Sequence, residues 1–80
     1  MLSIDLHGYK VDEAYEALID FIDEAYEAGE MAIEVIHGYS RGQEIKKMVI
    51  ELTSYDHKAI AKVEHSFRNP GSSKIFFKLD

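Results

Sequence analysis

The chain of 80 residues has no cysteine, so it holds no disulfide and no thiolate metal site. That accords with a reducing compartment, and a cytoplasmic location is expected. No apolar run approaches the roughly 20 residues that span a bilayer. The first residues carry no succession of basic, apolar and small residues of the secretory kind, so no membrane partner is expected. Proline occurs once, at Pro70, and no linker or low-complexity stretch divides the chain. One domain over 1–80 is expected, with a limited core. Metal-binding spacings such as His-x3-His and His-Glu-x-x-His are lacking too. Basic residues are scarce at the front: residues 1–40 hold one lysine against ten acids, whereas residues 41–80 hold eight basic and five acidic residues. The net charge of -6 speaks against a nucleic-acid partner, but the asymmetry weakens that objection, because most of the acid falls on one helical stretch whose simplest role is a solvated face.

What is present is a regular alternation of short patterns. Leu2 to Leu6 alternates, with Leu2, Ile4 and Leu6 on one side and Ser3, Asp5 and His7 on the other, as a strand would. Val11 to Ala28 places Val11, Ala14, Tyr15, Leu18, Ile22 and Ala25 at three- and four-residue steps, which predicts a helix with one apolar stripe. Lys10 is a poor cap for it, and Gly29 is well placed just past its end. Met31 to Ile36 is nearly continuous in apolar residues, as a buried parallel strand is. Ser40 to Thr53 predicts a second helix, opened by the capping pattern of Ser40 and Gln43. Ile60 to Phe67 and Lys74 to Leu79 predict two more strands, separated by the turn signal Asn69-Pro70-Gly71-Ser72. The order β-α-β-α-β-β predicts an α/β fold: a two-layer sandwich with a four-stranded mixed sheet. Two helices with one stripe each cover one face and leave the other at least partly open.

The stretch "SIDLHGYKV" and the stretch "EVIHGYSRG" share a plan: an apolar run, His-Gly-Tyr, then a helix start. In a βαβ unit both turns fall at the carboxyl-terminal edge of the sheet, where open α/β sheets bind ligands. If the two strands are neighbours, about 5 Å apart, His7 and His37 come together. Asp5 and His7 emerge on one face of their strand, and a carboxylate beside an imidazole supports acid or base chemistry. An Asp that caps backbone and a His that merely ends a strand fit the spacing as well. Gly38, Ser40, Arg41 and Gly42 at a helix start suit a phosphate, with Arg41 as a clamp; a tight turn with a solvated arginine is the plainer reading. Phe76, between Lys74 and Lys78 on the polar side, suits base stacking or ordinary packing. Arg68 and Lys74 flank the last turn and could track a phosphate backbone. Tyr9 and Tyr39 are walls of the site or lids over the core. Asp5, His7 and His37 could form a three-ligand set for zinc or another divalent ion, which the spacing does not require. His57 and His65 receive no role.

These residues also resemble a known family. "IDLHGYKVDEA" resembles the Leu-Asp-Leu-His-Gly motif and helix start of the Smr domain, the small MutS-related domain, and "VIHGYSRG" resembles its second motif, His-Gly-x-Gly or Thr-Gly-x-Gly. The resemblance runs over essentially the whole chain. It implies a sandwich similar to the C-terminal domain of translation initiation factor 3, nucleic-acid binding and, in several members, endonuclease activity on RNA or DNA. It places the catalytic pair at Asp5 and His7, and the second motif at His37 and Gly38. Where the family's second glycine falls, this chain has Ser40, and Lys10 stands in place of its usual threonine. "NPGSSK" replaces a richer glycine turn.

The expectation is therefore a nucleic-acid-binding domain that cleaves phosphodiesters, RNA favoured over DNA. His7 would move protons, Asp5 would orient it or hold a metal, and His37 would contact or protonate the phosphate. The alternatives are a module that docks without chemistry on RNA, a ribosome or DNA, and a protein-interaction or dimerisation domain that uses the acidic first helix, with a larger protein as a candidate partner.

Overall fold

The computed structural model describes residues 1–38, 43–66 and 68–79. Four strands and two helices follow in the expected order: β1 (Leu2–Asp5), α1 (Val11–Glu27), β2 (Ala32–Ile36), α2 (Gln43–Ile50), β3 (Ile60–His65) and β4 (Ser72–Phe77). The strands form one sheet in the order β1-β2-β4-β3. β1 runs parallel to β2, with Asp5 opposite Ile36, and β4 is antiparallel to both β2 and β3. The βαβ pattern and the last hairpin thus both form as the residue order implies.

The helices pack on one face. Ala14, Leu18, Ile22 and Ala25 of α1 and Ile45 and Val49 of α2 are buried in one core with Leu6, Ile33, Val35, Ile75 and Phe77 from the sheet. Each buried leucine or isoleucine contributes about 1.5–3 kcal/mol through removal from water. On the other face Ser3, Asp5, Lys62, Glu64 and Lys74 are exposed, so that side of the sheet is open as expected.

The element ends differ from the expected ones for local reasons. α1 starts after Lys10 although lysine cannot accept a hydrogen bond. Glu13 Oε1 reaches back to the Lys10 N–H at 3.2 Å, which is the carboxylate half of a capping box. Its far end closes on Gly29 at φ +86°, with the Glu30 N–H donating to Ala25 O (3.0 Å) and the Gly29 N–H to Tyr26 O (3.1 Å). That is the paired closure glycine allows. α2 stops at Ile50, three residues before Thr53. The Thr53 N–H donates to Asp56 Oδ2 (2.9 Å) and its Oγ1 accepts from the Tyr55 N–H (3.2 Å), so local side-chain bonds replace the next helical turn. The expected helix start at Ser40 lies outside the described residues. β4 begins two residues early, at Ser72, because Ser72 and Ser73 pair with Ile36 and Val35.

Candidate functional site

The parallel pairing brings the two His-Gly turns to one edge. The Leu6 N–H donates to Ile36 O (2.7 Å), which carries the ladder one residue past β1. Gly8 then takes φ +86°, and the Tyr9 N–H returns to Leu6 O (3.1 Å), turning the chain toward α1. Asp5 Oδ1 accepts the backbone N–H of His7 at 2.9 Å. This is an Asx turn. The carboxylate therefore holds the His7 main chain.

His7 itself is exposed, and its ring lies against the second joint. Gly38 also has φ +86°, and a β-carbon there would stand 3.3 Å from Cδ2 of His7. Gly38 is the bare backbone on which the His7 ring rests. Its place is fixed from the far side, because the His37 and Gly38 N–H groups both donate to Gly71 O, at 2.8 and 3.0 Å. The Asn69 to Gly71 turn is thereby tied to the same edge. The turn is itself closed by the Ser72 N–H on Asn69 O (3.0 Å) and the Gly71 N–H on Asn69 Oδ1 (3.2 Å).

His37 is placed otherwise than expected. It is completely buried on the helix side of the sheet, with Nε2 3.0 Å from Ser73 Oγ and Nδ1 3.3 Å from Gly38 O. A carbonyl oxygen can only accept, so Nδ1 carries the hydrogen, and neutral Nε2 accepts from the Ser73 hydroxyl. Both ring nitrogens are occupied by the protein. A direct contact with phosphate is thus corrected to a buried bridge between β2 and β4. Burial lowers the His37 pKa below the ordinary 6.5, opposed by the Gly38 carbonyl and aided by the charges of Lys46 and His65.

That shift gives a pH dependence with a definite sign. Below pH 6.5 the unfolded chain protonates this imidazole more readily than the folded one, so stability falls as pH drops. It is fully present above 6.5 and is lost toward the lower folded pKa. Urea unfolding between pH 7.5 and 5 is expected to show this loss in the wild type and a flatter profile in His37→Gln. Equal slopes in the two proteins would remove His37 as the source.

The remaining expected residues divide. Arg68 is exposed beside the turn that Gly71 ties to the edge, so it stands near the joints. Lys74 sits mid-sheet on the open face, between Glu34 and Glu64 as register partners. A phosphate there meets carboxylates on both sides. Phe76 pairs with Ala32, four register steps from the Ile36 and Ser72 pair, or roughly 13 Å along the strand. It is half-buried, and Lys62 Nζ lies 5.2 Å above its ring while bonding Glu64 at 2.9 Å. The structure does not bring Phe76 to His7, and its face is covered. Tyr9 is exposed beside the first turn. Tyr39, Ser40, Arg41 and Gly42 lie outside the described residues. Among the described residues no three His, Asp or Glu side chains converge to hold a metal ion, so Asp5, His7 and His37 do not form a ligand set. The burial of His37 on the opposite side of the sheet from Asp5 is the reason.

Two residues at this edge were not singled out from the sequence. Ser73 is fully buried where its strand partners on the same face, Ile75 and Phe77, are apolar. A serine in that alternation is the available signal. Lys46 of α2 is half-buried and its charge reaches His37.

The Smr domain family model matches residues 4–76. Among solved structures, the Smr domain of Thermus thermophilus MutS2 is similar with a TM-score of 0.79 and 19% identity, over 99% of this chain and all of that one. YdaL, a stand-alone small MutS-related protein from Escherichia coli, is similar with a TM-score of 0.79 and 16% identity, over 96% of this chain and 64% of that one. No curated protein matches the chain in sequence.

Proposed function

The chain belongs to the Smr domain family, and from that premise we propose that it binds nucleic acid, RNA in preference to DNA, and cleaves the phosphodiester backbone at the edge where His7 stands. The observation that carries this reading is the placement of His7: exposed, held through its main chain by Asp5, and seated on Gly38. An imidazole so held can take the proton of the attacking oxygen and return one to the leaving oxygen. Asp5 acts on position, and the bridge from His37 to Ser73 fixes the floor. Arg68, with Arg41 and the start of α2, supplies the positive charge that draws the phosphate. Lys74 and Phe76 are left with weaker claims, as carboxylates flank the one and Lys62 covers the other.

The test is direct. Labelled RNA and DNA are incubated with the protein, with magnesium and with EDTA, and fragments are resolved by size. RNA fragments that depend on His7 support the reading, and the EDTA arm reads the metal requirement. Retention of RNA or DNA without fragments under every condition would favour a docking module, whose affinity falls steeply with salt. Absence of both retention and fragments would point to a protein partner and overturn the reading.

A further inference from the structure

A buried serine at an apolar position needs a reason. Ser73 occupies the helix-side face of β4, in line with Ile75 and Phe77, and is completely buried. Alanine or valine would fill the place at no polar cost. Its hydroxyl instead donates to His37 Nε2 at 3.0 Å. That bond has a consequence at the next residue. Gly38 O, which can only accept, lies 3.3 Å from Nδ1 and so fixes the hydrogen there. Ser73 holds the ring in the orientation that makes this contact. The Gly38 amide is held from the other side by Gly71 O. Gly38 then offers a fixed surface 3.3 Å, at its β position, from the His7 ring.

We propose that Ser73 is a positioning residue of the site, which holds the His37 ring in the orientation that bonds Gly38 O and through it fixes the Gly38 backbone that seats His7. The inference rests on the reading that His7 is the reactive group, but its first link, from Ser73 to His37, does not. The tautomer is set by Gly38 O, which can only accept, whereas the Ser73 hydroxyl adapts to either form and fixes how the ring lies.

The experiment combines imidazole proton-nitrogen spectra of the full chain at neutral pH with steady-state cleavage of RNA. In the wild type, His37 is expected as the Nδ1–H form. Ser73→Ala is expected to keep the Nδ1–H form but to shift the His37 Nε2 and His7 Hδ2 resonances, and to lower kcat about tenfold. KM is expected to stay within about twofold, because the phosphate seat is untouched. Ser73→Thr, which keeps the hydroxyl, is expected to restore all of these. A wild-type His37 in the Nε2–H form overturns the proposal, as does a Ser73→Ala variant whose His37 and His7 resonances do not move. A loss in Ser73→Ala that Ser73→Thr fails to restore also overturns it. If Ser73→Ala does not fold, Ser73→Cys keeps the volume and weakens the donor, and the same spectra decide. If the wild type cleaves no RNA, the proposed activity fails, while the spectra still decide the role of Ser73.

Discussion

Replacing His7 with alanine is expected to lower the rate of RNA cleavage about a hundred- to ten-thousandfold, the range a positioned general acid or base contributes. The fold is expected to survive. His7 is exposed, its ring rests on Gly38, and its main-chain bond to Asp5 does not involve the side chain. Asp5 gives the finer test. Its Oδ1 accepts the His7 N–H, and an asparagine carbonyl accepts equally well. Asp5→Asn is therefore expected to keep most of the activity, whereas Asp5→Ala, which opens the turn, loses it. Were Asp5 needed for its charge, to support an imidazolium or to hold a metal, both variants would fail together. Initial rates on one RNA at saturating concentration, with circular dichroism to check folding, separate these outcomes. His7→Ala cleaving at the wild-type rate would remove the mechanism.

The sheet and its two joints were legible because they depend on patterns that local physics enforces. Alternation in β1, continuity in β2 and a 17-residue stripe in α1 leave few arrangements other than a parallel βαβ unit. Once that unit is given, the meeting of His7 and Gly38 follows. What was hidden depends on contacts between distant segments. His37 follows an apolar strand exactly as His7 does, so nothing nearby distinguishes an exposed histidine from a buried one. The difference is made by Gly71 and Ser73, more than thirty residues away, which bind its backbone and its ring. The surroundings of Phe76 were hidden for a similar reason. Its lysine neighbours in sequence are not the ones over its ring; Lys62 comes from β3. Lys10 succeeds as a helix start because a residue three places on supplies the missing acceptor.

Gly38→Ala is expected to reduce cleavage about a hundredfold, the cost of displacing a reacting group by roughly 1 Å, and the comparison with Gly8→Ala and Gly29→Ala explains why. All three glycines have φ +86°. A side chain there costs about 1–2 kcal/mol of backbone strain wherever it is placed, so the three variants are expected to lose stability to a similar degree in urea unfolding. They differ in what the new β-carbon meets. At Gly8 and Gly29 it meets nothing within 4 Å, but at Gly38 it stands 3.3 Å from His7 Cδ2. That separation is tight, and the exposed His7 ring is free to give way, so the added methyl shifts the ring and adds little further instability. Stability and activity therefore part company at one position. Gly29→Ala, at the far end of α1, serves as the control for strain alone, and is expected to cleave as the wild type does below its melting transition. Gly8→Ala adds strain in the turn that carries His7 without touching its ring, and falls between. A common fall in activity across all three, in proportion to stability, would mean that Gly38 acts through the fold and not as the seat of His7.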